Sequence, residues 1–222
     1  MLKVNYSSSD IGDRTENLDR LGHIQGDNWS FSYVLDGFEV VTPHYVDSLQ
    51  ESLQCIKNLS SITSKSDILI ALYSAINQIH KGKGKASVAF VICIDGKIST
   101  LTAGDTRVYR VDSLDRTIDH SLAQKMINDG KSPKASLHQH PYRRYLLKKL
   151  YPGCSKEELT LNEYDNIESI MLCSDGIWSC FKKDEELYDH LPKGPESVLK
   201  IARSNRKKHR DNMTMLWLIP ME

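Results

Sequence analysis

The run ASVAFVICI, residues 86–94, is followed at once by Asp95-Gly96 and then by KISTLT at 97–102. Two β-rich segments on either side of Asp-Gly are a strong signal for a tight hairpin, because both central residues of such a turn need positive φ. An antiparallel strand pair is therefore built into the middle of the chain, and RVYRV at 107–111 predicts another strand beyond it. Upstream, Leu49, Leu53, Ile56 and Leu59 recur at helical spacing over 47–59, and Leu69, Leu72, Tyr73, Ile76 and Ile79 do so over 66–80. Each of these helices has one apolar face to lay on something flat. Further helices are predicted over 120–129, 142–151 and 195–205, and further strands over 31–35, 167–173 and 213–219. The helices come in pairs between hairpins rather than in βαβ alternation. The expected class is therefore α+β, with antiparallel sheets and helices packed outside them.

Composition limits the function. With 222 residues, 40% hydrophobic and 26% charged, the chain is expected to form one domain over residues 1–222. Lys and Arg number 29 and so do Asp and Glu, so no global field draws the chain to nucleic acid or to an anionic membrane. Five cysteines without paired spacing read as reduced thiols of a cytoplasmic protein, not as a disulfide framework or a zinc site. No apolar run approaches the roughly 20 residues of a membrane helix, and MLKVNYSSSD lacks the pattern of a secretory signal. The expectation is a soluble, unsecreted protein with no internal repeat or long linker.

Acidic residues recur where strands end. Asp36-Gly37 follows FSYVL, Gly104-Asp105 follows KISTLTA, Asp175-Gly176 follows IESIMLCS, and Asp211-Asn212 precedes MTMLWLI. A single Asp-Gly after a strand is ordinary turn chemistry. Four of them can converge on one edge of packed sheets, where hard divalent cations take oxygen ligands.

The motifs stand in the order Arg14-x-x-Asn-x-Asp19, Asp36-Gly37, Gly104-Asp-Thr-Arg107, Asp119-His-Ser121, Cys173-Ser-Asp-Gly-Ile-Trp178 and Asp211-Asn-Met-Thr214. In that order they resemble the metal-dependent serine/threonine protein phosphatases of type 2C, especially the compact bacterial forms. The likeness runs from about Val4 to Ile219. It implies two antiparallel β-sheets face to face with helices on both sides, a four-layer α-β-β-α sandwich. It also implies hydrolysis of phosphoserine and phosphothreonine with Mn²⁺ or Mg²⁺, two ions and in many bacterial members a third. By the same resemblance, Asp36 bridges two ions, the carbonyl of Gly37 completes the shell of the second, and Asp175 and Asp211 hold the first. Asp19 resembles the carboxylate that orients water held by the metals, Arg14 the guanidinium that forks onto phosphate, and Asp105 the ligand of the third ion. Asp27, in Gly26-Asp-Asn28, is a rival for the place of Asp19, but it has no arginine five residues before it, as Asp19 has in Arg14.

The chain departs from the family in Leu18, where relatives carry an acidic or amide residue, and in Phe38-Glu39, which no histidine directly follows to act as general acid. Two alternatives therefore stand beside the phosphoprotein phosphatase: a catalytically silent phosphoprotein-binding module, and a two-metal phosphoesterase for small molecules. The expected partner is a phosphorylated protein, a serine/threonine kinase or its target, met by a monomer. Elsewhere, Cys173 and Cys180 are expected in the core, and Cys154 lacks the loop of a cysteine phosphatase. KGKGK at 81–85 lacks phosphate-loop spacing and reads as a solvated connection. His138 and His140 have no third ligand nearby for a metal. Arg203, Arg206, Lys207, Lys208 and Arg210 read as a solvated helix end, or else as cations that steer acidic phosphopeptides.

Overall fold

The structure is a computed structural model that describes residues 1–38, 43–60, 63–204 and 210–221. Among the described residues, ten strands form two five-stranded antiparallel sheets. They are β1 (Leu2–Asp10), β2 (Asp19–Gln25), β3 (Trp29–Gly37), β4 (Ala86–Ile94), β5 (Lys97–Ala103), β6 (Arg107–Arg110), β7 (Asp115–Arg116), β8 (Thr160–Tyr164), β9 (Ile170–Cys173) and β10 (Met213–Pro220). One sheet has the order β1-β10-β9-β6-β7 and the other β2-β3-β4-β5-β8. The helices are α1 (Tyr45–Ser52), α2 (Lys65–Asn77), α3 (Leu122–Asn128), α4 (Asp175–Trp178), α5 (Asp184–Tyr188) and α6 (Pro195–Ser204).

The layering follows from the strand sequences. In β4 every residue is buried. Val88, Phe90, Ile92 and Ile94 point to a cluster with α1 and α2, including Leu49, Leu72 and Ile76. Ala89, Val91 and Cys93 point the other way, to Val108, Ile170, Leu172, Leu216 and Leu218 of the facing sheet. Successive side chains of a strand alternate faces, so a strand apolar at every position belongs in a sheet covered on both sides. β10 mirrors this, with Met213, Met215 and Trp217 packed among Ile177, Val198 and Leu199 of α4 and α6. The four-layer sandwich is thus observed, with apolar contacts at all three interfaces, where each fully buried large side chain contributes about 1.5–3 kcal/mol.

The Asp95-Gly96 turn has φ of 49° and 77°, as a two-residue hairpin demands. α2 begins at a Ser64/Asp67 capping box that satisfies amides at its first turn. The helix expected over 47–59 becomes α1 followed by a tighter turn at Leu53–Asn58. The helix expected over 142–151 is not formed. That stretch makes turns and two isolated bridges, Ser121 with Leu146 and Ala86 with Leu150, and its amides are spent on other segments. Leu147 N–H donates to the carbonyl of His120, and Leu150 N–H to that of Ala86. β1, β2 and β8 were not legible as strands: β1 and β8 are edge strands with largely exposed faces, and β2 carries polar residues on an edge. No helix among the described residues is long and apolar enough to cross a membrane.

Candidate active site

Five of the predicted acidic residues meet at one rim of the sandwich because each stands within two residues of a strand end. Asp36 is the penultimate residue of β3, Asp105 stands two residues beyond β5, Asp175 two beyond β9 and Asp211 two before β10, and Asp19 begins β2. Antiparallel pairing sets Asp19 directly opposite Asp36. Like charges at such positions repel, so an unscreened pair here is unfavourable. Asp36, Gly37, Asp105, Asp175 and Asp211 line a cleft of about 370 Å³ together with Arg14, Leu18, Phe38, Arg144 and Asn212. Asp19 lies just beneath, 3% exposed.

Close backbone approach brings the two sides together. A Cβ on Gly176 would lie 1.9 Å from the carbonyl oxygen of Asn212. Only glycine lets the first turn of α4 rest on the start of β10, which places Asp175 near Asp211. Asn212 then gathers the 11–18 loop: its amide donates to the carbonyls of Ile11 and Glu16, at 2.9 and 3.0 Å, and its oxygen accepts from Leu18 N–H at 2.8 Å. On the far side, the Ser87 hydroxyl accepts from the amides of Asp105 and Thr106, at 2.8 and 2.7 Å, and fixes the Gly-Asp-Thr turn.

The electrostatics follow from this crowding. Burial, opposed by the Ser174 hydroxyl that donates to its Oδ2 at 2.7 Å, pushes Asp19 up to about 7. Burial and then the charges of Asp175 and Asp119 push Asp105 up to about 8. Asp36 is raised well above the ordinary carboxylate range by burial, then by Asp19, Asp175, Asp105 and Asp211. Oδ1 of Asp19 is buried without a hydrogen-bond partner. Two arginines offset part of the charge. Arg14 donates from Nε and Nη2 to the two oxygens of Asp211, at 2.8 and 2.6 Å, and Arg143 donates from Nη1 to Asp175 at 2.8 Å.

An all-oxygen donor set with uncompensated negative charge fits hard divalent cations. In the arrangement seen, no three His, Cys, Asp or Glu side chains among the described residues stand close enough to ligate one ion. Asp175 and Asp211 are each engaged by a guanidinium instead.

Sequence reasoning missed what supports this cleft. Beneath it, Arg107 is wholly buried and donates to both oxygens of Asp119, at 2.8 and 2.7 Å, to Asp184 at 2.9 Å and to the Tyr109 hydroxyl at 2.8 Å. Arg116 takes the second oxygen of Asp184, whose carboxyl is held far below its usual range by the His138 hydrogen bond and the two arginines, against the opposing effect of burial. The Arg107 guanidinium lies 3.5 Å from the centre of the Trp178 ring, and the Trp178 indole N–H donates to the carbonyl of Asp105. His138 bonds Asp184 and the carbonyl of Phe181, and His140 meets Ser132. Asp27 lies in the turn at the opposite end of β2 and β3 from Asp19. Cys93, Cys154 and Cys173 are buried free thiols, and Cys180 is buried with its thiol donating to the carbonyl of Gly176. Arg203 and Arg210 turn to Asp10 and Asp13; Glu39, Arg206, Lys207 and Lys208 lie outside the described residues.

No protein-family model matches the chain. Among solved structures, it superposes on the serine/threonine phosphatase Stp1 of Staphylococcus aureus with a TM-score of 0.80 at 18% identity, covering 99% of this chain and 96% of that one. The fold is that of the bacterial serine/threonine phosphatases. The catalytic domain of the phosphatase PstP, solved in complex with two manganese ions, superposes at a TM-score of 0.76 and 18% identity over 100% of this chain and 99% of that one. In sequence, the serine/threonine phosphatase stp of Listeria monocytogenes is 25% identical over 154 residues, which is 66% of this chain and 61% of that protein. The match therefore spans less than two thirds of the curated relative.

Proposed function

We propose that the chain is a divalent-metal-dependent phosphatase that hydrolyses phosphoserine and phosphothreonine in proteins. The observation that carries this reading is the convergence of Asp36, Asp105, Asp175 and Asp211 on one cleft with the buried Asp19 behind them. Asp36 and the carbonyl of Gly37, with Asp175 and Asp211, would hold two ions, Mn²⁺ or Mg²⁺, and Asp105 a third. When bound, such ions neutralise phosphate charge and bring the pKa of a water near 7, which makes a nucleophile available without a covalent phosphoenzyme. Asp19, fixed by Ser174, would orient that water. Arg14 at the cleft wall offers a planar fork to phosphate oxygens. No cysteine takes part.

The natural partners are phosphorylated proteins, a serine/threonine kinase or its targets, in the reducing cytoplasm that free thiols suit, with the enzyme acting as a monomer. The fold of bacterial serine/threonine phosphatases supports the reaction class.

The test is hydrolysis of p-nitrophenyl phosphate and of a phosphothreonine peptide with Mn²⁺, with Mg²⁺ and with EDTA. Turnover should require metal and fall at least a hundredfold in Asp175→Asn, on the order of the loss when a group stabilising the transition-state charge is removed. Metal binding without turnover of either substrate would sink the catalytic reading in favour of a phosphoprotein-binding module, and turnover of the small ester alone would point to small-molecule phosphoesters.

A further inference from the structure

We propose that Trp178 is a positioning residue for the third divalent cation: its indole N–H fixes the peptide unit beside Asp105 against the helical turn that carries Asp175. The inference rests on the reading of Asp105 as a ligand of that cation, and it adds the residue that sets where the ligand stands. Trp178 closes α4, the four-residue turn that Asp175 opens, and it is wholly buried. Its Nε1 donates to the Asp105 carbonyl at 2.9 Å. The N–H of the same peptide unit, that of Thr106, donates to the Ser87 hydroxyl at 2.7 Å. Both polar ends of the unit are thus taken, one by a neighbouring strand and the other by α4. What acts on the Asp105 carboxylate itself is burial and the charges of Asp175, Asp119, Arg143 and Arg107, so its place is set through the backbone that Trp178 and Ser87 hold.

The indole is gripped as well as gripping. The Arg107 guanidinium lies 3.5 Å from its ring centre and is itself committed to both oxygens of Asp119 and to Asp184, a buried set of charges that cannot shift without leaving one of them unpaired. His138 meets the ring edge to face, with centroids 5.1 Å apart. Tryptophan suits both tasks, since its face takes a cation best and its edge carries a donor that needs an acceptor when buried. Many carbonyls could serve as that acceptor. The one used belongs to an acidic residue of the cleft, and the helix that supplies the donor begins with another. One side chain therefore fixes the spacing of Asp105 and Asp175, and an ion held by Asp105 is sensitive to it.

Calorimetric titration of the full chain with Mn²⁺ tests this in the wild type, Trp178→Phe, Asp105→Asn and the double variant. Asp105→Asn should abolish the weakest binding step and so identify it. Trp178→Phe keeps an aromatic face for Arg107 and loses the N–H, so that step should weaken about tenfold, a usual loss when the group that orients a metal ligand is removed. The tighter steps should stay within about twofold, as for sites that share no partner. In the double variant the change at 178 should add nothing to the effect of Asp105→Asn on metal binding, whereas a residue that merely fills the core would weaken every step in both backgrounds. If Trp178→Phe fails to fold, the wild type carries the test: in heteronuclear NMR spectra titrated with Mg²⁺, the Trp178 indole N–H resonance should move with the weakest step. An unmoved resonance, or a weakest step unchanged in Trp178→Phe, would overturn the proposal. A wild type that binds two ions and no third would overturn the reading of Asp105 and this inference with it, while one that binds no metal would overturn the metal reading of the whole cleft.

Discussion

Ser174 shows how one hydroxyl supports a charge that the fold has buried. It donates to Asp19 at 2.7 Å and accepts from the amide of Thr214 at 3.0 Å, and it is wholly buried. Ser174→Ala leaves a carboxylate oxygen and an amide short of partners in a dry place, which costs about 1–3 kcal/mol. Urea denaturation should show a midpoint lowered accordingly, while a midpoint within error of wild type would mean that water replaces the hydroxyl. The aspartates themselves were legible in sequence because turn chemistry at strand ends is local. Ser87, Ser174 and Arg143 were not, because their importance lies in partners that are distant in the chain: Ser174 is 155 positions from Asp19, and Arg143 is 32 from Asp175. Departures could be read, but not their surroundings. Leu18 does line the cleft, yet its amide is what Asn212 holds.

Elements were read well where periodicity was strong and one face was apolar. The β4–β5 hairpin, α2 and β10 all lie where their patterns put them. The failed helix at 142–151 has Tyr, Leu and Lys at acceptable helical spacing, but its backbone pairs with residues 86 and 120–122 instead, a tertiary choice that overrides propensity. β1 and β8 failed for the opposite reason, since their largely exposed faces carry polar side chains and give no alternation to read. The contact between α4 and β10 invites a direct test. Gly176→Ala forces a Cβ against the Asn212 carbonyl, so these elements must part, at a cost of about 1–3 kcal/mol for an overpacked contact. Thermal melting should show the loss. Mg²⁺ affinity should fall together with it, since Asp175 and Asp211 move apart; a variant with lowered stability and wild-type Mg²⁺ affinity would show that they do not share an ion.

Across the whole molecule, the cleft makes stability depend on pH in an unusual direction. Asp19 and Asp105 are raised to about 7 and about 8, whereas an unfolded aspartate titrates near ~3.9. The folded chain therefore holds protons that the unfolded chain has released between these values, so stability gained below the unfolded value is lost as pH rises through the folded ones. In EDTA the protein should melt at a higher temperature at pH 6 than at pH 8. On the proposed metal reading Mg²⁺ would compete with those protons, and its stabilising increment should be larger at pH 8. An equal increment at both values would mean that protons and metal do not share these carboxylates. Asp184 works in the usual sense: paired with two arginines, it supports the fold above the unfolded value and is lost only in strong acid.

β10 lies between β1 and β9 in its sheet, and Asp211 stands at its entrance, paired with Arg14 from 197 positions earlier. No local fragment contains the full set of carboxylates. Joining residues so far apart in sequence carries a large loop-closure cost, so the carboxylates meet only in the closed sandwich. On the proposed reading, activity would then act as a proof-reading signal for the entire chain: a molecule with a slipped or unzipped outer strand would lack the assembled carboxylates and would be inert.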